Sequence, residues 1–357
     1  MRKHYIDNLR WMVILLLIPY HAAMAWNTWG EPNYIIFEGN RLLSSLIVFF
    51  SPFIMPLLFI LAGISTKYAL IKRSYGEYVI ERVKRLIVPL LSGVILIMPV
   101  MTFIADRYNC GYDGSFISHY GTFFTKFTDL TGADGGFSLG QFWFLLYLFV
   151  ISLLALGLIA VQRKAVPRDN VVFPLWYVIL LGLPLSFLHD LLSIGGKSLV
   201  EFTYLFIVGF YVLSSDAIIE KLRQRRRIFL IIGLVSSLVN IILFIWTDID
   251  KLKSLNTFAN FVAEWFMILA LLGYGKSTFD MADEKTSYLS YISFPFFSLH
   301  YIWLVLFQYL TAKFSDNTAV LFIIPVIASF IMTFVSCFIL LKIPPVRFLL
   351  GAKAKRK

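Results

Sequence analysis

Residues 8–27 read NLRWMVILLLIPYHAAMAWN, an apolar run long enough to cross a bilayer core as a helix, which takes about 20 residues. Arg10 opens the run and His21 lies eleven residues further on. At about 1.5 Å of rise per residue, the imidazole sits about 16 Å deeper than the guanidinium. A basic group near one face and a titratable group near the middle suggest a site reached from both sides.

Working outward from this stretch, 59% of the 357 residues are hydrophobic, 15% are charged and the mean hydropathy is +0.78. That balance excludes a soluble globule and predicts an all-α polytopic integral membrane protein. Ten apolar runs are candidates for spans, at 9–27, 44–71, 86–105, 142–162, 171–188, 199–213, 228–246, 257–275, 289–310 and 319–341. The second is long and the sixth short. Of the 32 Lys and Arg residues, 25 fall in 1–10, 67–85, 163–168, 221–227, 276–285 and 342–357. The positive-inside rule then puts both termini in the cytoplasm of a cell (plasma or inner) membrane protein. Membrane anchoring also accounts for the net charge of +11 without a nucleic-acid partner.

The first run carries no cleavage pattern, so it reads as a retained span. Neither a repeat nor a linker divides the chain, which predicts one transmembrane domain over 1–350 and a basic tail over 351–357. Cys110 and Cys337 fall on opposite faces of this topology, which argues against a disulfide. The longest connection, 106–141, is external and has the length of a lid or acceptor-binding loop, with a plain surface loop as the default.

A charge inside lipid costs about 2.5–3.5 kcal/mol at a helix centre, so ionisable residues within spans call for a partner or a wet cavity. His21, Glu264 and His300 meet that description, and counting from the span ends puts all three in one layer near the middle. A histidine with an ordinary pKa of about 6.5 can take a proton from a hydroxyl and return it to a leaving group. The plainer alternatives are a hydrogen-bonded interface residue for His21, an aromatic-packed one for His300 in SLHYIW, and a helix–helix pair for Glu264. On the inner side, Arg82 and Arg85 stand at i and i+3 where the third span begins, with Arg10 near the same face. Three guanidiniums suit a phosphate or pyrophosphate clamp; membrane anchoring is the alternative for any one of them. The histidines are too scattered for a short-spaced metal set, so no metal is expected.

Together, the R-x10-H of DNLRWMVILLLIPYH, PLLFILAGIST in the second span, Arg82-x-x-Arg85 before LIVPLL, QFWFLLYL and SYISFPFFSLHYIWL resemble the acyltransferase-3 family. Its members are integral-membrane enzymes that O-acylate carbohydrates and other cell-surface molecules. The first and ninth spans look closest to the glucan biosynthesis protein C branch. Ala62, Ile64 and Gln141 depart from the family's usual pattern. The resemblance implies a cytoplasmic acyl-CoA donor with its phosphates on Arg10, Arg82 and Arg85, and an acetyl or succinyl type of group passed to an external glycan hydroxyl. It also implies His21 as general base, with Glu264 and His300 orienting it or lining the acceptor route. Gln141 and Trp143, at the mouth of the fourth span, are candidates for the cavity wall, although interfacial packing is usual for Trp.

A proton-coupled transporter also uses intramembrane His and Glu, but no pair of Gly/Pro-interrupted spans recurs in two halves. A carrier of acyl groups or lipid-linked sugars without covalent chemistry is a second competing reading, and a non-catalytic membrane scaffold is the one the intact His and Arg set disfavours most.

Overall fold

The computed structural model describes residues 3–161, 173–247 and 252–352. The basic connection at 163–168 and most of the basic tail fall outside the described residues, as do the first two residues of the fifth run. Among the described residues, seven helices are long and apolar enough to cross a membrane: Arg41–Leu70, Tyr75–Asn109, Gly140–Val161, Asp216–Trp246, Lys253–Thr278, Glu284–Thr311 and Thr318–Leu340. The protein is therefore an all-α polytopic membrane protein. Shorter or more polar helices, His4–Met24, Leu175–Leu188 and Leu199–Tyr211, occupy the remaining three expected places.

Local chemistry explains the departures from ten full-length spans. The fifth run is broken over 181–184, where Gly182 and Pro184 interrupt it, because Pro cannot donate a helical hydrogen bond. A side chain on Gly182 would meet the Trp265 ring at 2.4 Å. Leu199–Tyr211 has only 13 residues and is capped by Ser198, which accepts from Glu201 N. A two-residue hairpin precedes it, pairing Ser193–Ile194 with Lys197–Ser198 through Gly195 and Gly196. Their φ values of +57° and +71° match the left-handed turn that Gly permits. The helix Tyr75–Asn109 passes through a π turn at Val83–Ile87. Pro89, four residues after Arg85, has no N–H for the Arg85 carbonyl, and a widened turn is one way to re-route it.

The helices fall into two compact units. One comprises Met1–Val13, Val48–Arg82 and Tyr147–Ser287; the other comprises Ile14–Ile47, Val83–Leu146 and Tyr288–Lys357.

Small residues let backbones approach closely in the first unit, as expected where lipid removes the hydrophobic drive between helices. A Cβ on Gly63 would lie 2.0 Å from the Phe206 carbonyl oxygen, and one on Gly209 would lie 2.4 Å from that of Ile60. Phe59 and Phe202 stack 4.4 Å apart at the same crossing. Asp216–Trp246 and Lys253–Thr278 pack along each other around three amides. Asn256 Nδ2 donates to Asn240 Oδ1 at 2.8 Å, and Asn240 Nδ2 donates to Asn260 Oδ1 at 3.2 Å. The start of His4–Met24 is tied down by Asn8, whose Nδ2 donates to the carbonyls of Phe279 and Met281.

In the second unit, the connection 25–40 folds back on the helix it leaves: Phe37 N donates to Ala25 O and Asn40 N to Trp26 O. Asn109 Nδ2 gathers the carbonyls of Asn33, Tyr34 and Ala133. The long connection is well built rather than plain. It carries a helix, Phe116–Phe123, and the Lys126–Asp134 ion pair at 3.1 Å. His119 is buried with Nε2 3.2 Å from Thr102 Oγ1 and Nδ1 3.3 Å from an Asp106 carboxylate oxygen. Cys110 and Cys337 are both free thiols.

Candidate active site

Two of the three expected intramembrane groups come together in the second unit. His21, half-buried, stacks on Tyr301 with centroids 4.2 Å apart and planes 18° from parallel. His300 lies 5.5 Å from His21, also stacked, and Tyr20 meets His21 edge-on at 5.3 Å. The folded-back connection 25–40 supplies the next layer. Tyr301 Oη donates to Asn33 Oδ1 at 2.8 Å, and Tyr34 packs edge-on to Tyr301 at 5.2 Å. The Tyr301 ring is thus fixed from behind while its face holds the imidazole.

His300 is fully buried and its tautomer follows from its partner. Nδ1 lies 2.7 Å from the Phe297 carbonyl oxygen, which can only accept, so Nδ1 carries the proton. Nε2 is then a bare lone pair, and among the described residues nothing donates to it. Gln141 is a second such case. Its Nε2 donates to Ser298 O at 3.2 Å, one helical stretch from His300, while its buried Oε1 has no donor among the described residues. A buried acceptor without a donor costs free energy unless water or a ligand satisfies it. Trp143 is half-buried and edge-on to Phe144 at 6.3 Å, as in ordinary interfacial packing.

Glu264 lies in the first unit and is 2% exposed. Its electrostatic neighbour is the buried Glu201 carboxyl, and its Oε1 has no hydrogen-bond donor among the described residues. Among the described residues of that unit, no histidine bonds to it.

The basic cluster also divides. Arg10 and Arg82 are in the first unit and meet consecutive residues of one helix: Arg10 Nη2 donates to Ser65 Oγ and Arg82 Nη2 to Thr66 Oγ1, each at 3.0 Å. The two hydroxyls can accept because their own protons go to the carbonyls of Leu61 and Ala62. Asp7 pairs with Arg10 at 3.0 Å, and the Arg82 guanidinium lies 4.7 Å from the centre of the Tyr78 ring. Arg85 is half-buried in the π turn and belongs to the second unit. The i,i+3 face expected for Arg82 and Arg85 assumed an unbroken α-helix, and the π turn begins between them.

A family model described as an acyltransferase domain, Acyl_transf_3, matches residues 3–342. The chain belongs to this acyltransferase-3 family. No curated protein and no solved structure matched it. As a membrane-embedded acyltransferase, it transfers acyl groups, and the match spans every helix described above.

Sequence reasoning named both histidines, Gln141 and the arginines, but missed Tyr301, Asn33, Ser65 and Thr66. Ser65 and Thr66 were in view within PLLFILAGIST, but nothing local in the sequence marks them as partners of Arg10 and Arg82. Asn33 gives no local signal, because its role depends on the path of the folded-back connection.

Proposed function

We propose that this acyltransferase moves an acetyl or succinyl type of group from a cytoplasmic acyl-CoA to a hydroxyl of an extracytoplasmic glycan, with His21 as general base. The stack of His21 on Tyr301 beside His300, whose Nε2 is an unsatisfied acceptor, carries the reading. The phosphates of the donor bind at Arg10 and Arg82, with Arg85 as a further contact, and the thioester is delivered to the depth of His21, eleven residues along the same helix.

His21 removes the proton from the acceptor hydroxyl as its oxygen attacks the thioester carbonyl. The carbon–sulfur bond breaks, and the leaving thiolate takes the proton back from the imidazolium, so that free CoA and an O-acyl ester result. His300 Nε2 accepts from a neighbouring hydroxyl of the same polyhydroxy acceptor and so aims the reacting one. Holding both reactants in place supplies several kcal/mol of the barrier. Glu264 has no assigned step; with Glu201 it is a candidate for lining the acceptor route.

Labelled acyl-CoA incubated with membranes and a glycan acceptor tests this reading. The expected result is label on the glycan and none with His21→Ala at equal protein abundance. Wild-type transfer by that variant refutes the base role; uptake of label without loss of the thioester identifies a carrier.

A further inference from the structure

At the end of the His4–Met24 helix that lies away from Arg10, the second unit contains a cavity of 260 Å³ that the chemistry above does not use. It is just under the range of small-ligand clefts, roughly 300–1,000 Å³. Trp26, Phe37 and Tyr108 line it together with Glu38, Asn40 and Asp316.

Its walls are preformed. Backbone hydrogen bonds from Phe37 to Ala25 and from Asn40 to Trp26 hold one side, and Asn317 caps the helix that forms the other through Ala319 N and Val320 N. Phe37 covers Trp26 with centroids 4.5 Å apart and meets Tyr108 edge-on at 5.9 Å. Glu38 and Asp316 are exposed, and neither forms an ion pair among the described residues. A cage for an organic cation needs open aromatic faces on several sides. Here Phe37 lies against Trp26, and the Lys313 ammonium sits 4.3 Å from the centre of the neighbouring Tyr309 ring. What remains is a short aromatic surface opposed by two carboxylates and an amide, a set that suits a molecule with apolar C–H edges and many hydroxyl donors.

We infer that this cavity is a subsite for one neutral sugar residue of the acceptor, with the ring's C–H face on Phe37 and Tyr108 and its hydroxyls donating to Glu38 and Asp316. The inference rests on the glycan-acceptor reading and adds a second point of contact beyond the histidines. An acceptor held at two points presents one hydroxyl in preference to its neighbours, so the cavity contributes to the choice of acylated position.

Saturation-transfer NMR on the full chain in nanodiscs, with laminaritriose and maltotriose as sugar probes and choline as the cation probe, reads binding without any donor present. Wild type is expected to saturate the sugar protons of at least one probe. Asp316→Ala and Phe37→Ala should each weaken that binding about fivefold to tenfold, the loss of roughly one hydrogen bond or ring contact, and the isosteric Asp316→Asn should fall between. Monodisperse gel filtration shows that a variant is folded; should Phe37→Ala fail there, Asp316→Asn and Asp316→Ala still decide. Saturation of choline but not sugar overturns the inference, as does sugar binding that none of the variants weakens. Sugar binding lost in the variants while wild type transfers no acyl group leaves the subsite standing and defeats the proposed reaction. Transfer by wild type with an acceptor KM that Asp316→Ala does not move has the opposite meaning.

Discussion

His300→Asn separates two functions of one side chain. The imidazole is fully buried, donates from Nδ1 to Phe297 O at 2.7 Å and leaves Nε2 as an acceptor. An asparagine amide nitrogen can take the place of Nδ1 and keep that donation, whereas nothing replaces Nε2. If Nε2 receives one hydroxyl of the acceptor, the variant loses one neutral hydrogen bond, about 1 kcal/mol, or roughly a fivefold rise in acceptor KM. Loss of the base at His21 is a different order of effect, roughly 10²–10⁴-fold in kcat. Label transfer measured against acceptor concentration in nanodiscs, with a thermal-shift check of folding, yields both constants for His300→Asn and His21→Ala. A folded His300→Asn that loses a hundredfold or more in kcat would place proton abstraction at residue 300 and refute the assignment. An unmoved KM would show that Nε2 does not touch the acceptor.

Three further outcomes are expected. Tyr301→Phe keeps the ring against His21 but removes the donor to Asn33, so stability should fall by about 1 kcal/mol, and Tyr301→Ala should cost about 3 kcal/mol or more; equal Tm losses contradict this account. Gly63→Ala drives a methyl to 2.0 Å from the Phe206 carbonyl oxygen, a backbone atom that cannot rotate away, and should lower the Tm of detergent-solubilised protein by an amount equivalent to about 1–3 kcal/mol; a wild-type Tm would show that the helices part freely. Burial holds the His119 imidazole below its ordinary pKa, with Asp106 offsetting part of the shift. The folded connection therefore binds fewer protons than the unfolded one below about pH 6.5, and its stability should fall as pH drops from there toward the folded pKa. Hydrogen exchange of residues 110–139 should accelerate over that window, and protection that is independent of pH contradicts it.

Hydropathy made the helices legible because a bilayer imposes a length that a sequence must satisfy. The fifth run misled for a local reason: Gly182 and Pro184 cut a helix whose composition alone reads as continuous, whereas the sixth is as short as its apolar run. His21 and His300 were legible because an ionisable group in an apolar run stands out. Tyr301 was hidden because an aromatic next to a histidine looks like packing until the stacking partner is known. His119 was invisible for the converse reason. It lies in a stretch read as polar surface, yet aromatic residues such as Phe103 and Tyr112 enclose it. Arg10 and Arg82 were recognised as cations, but the hydroxyls of Ser65 and Thr66 that hold them came only with the fold.

The three asparagines shared by Asp216–Trp246 and Lys253–Thr278 bear on how the chain is made. Sliding one helix by a turn along the other would strand all three amides in hydrocarbon, so the hairpin has a single favourable alignment during insertion. A chain released early from the insertion machinery would carry this pair already in register, a ready template against which later segments can settle.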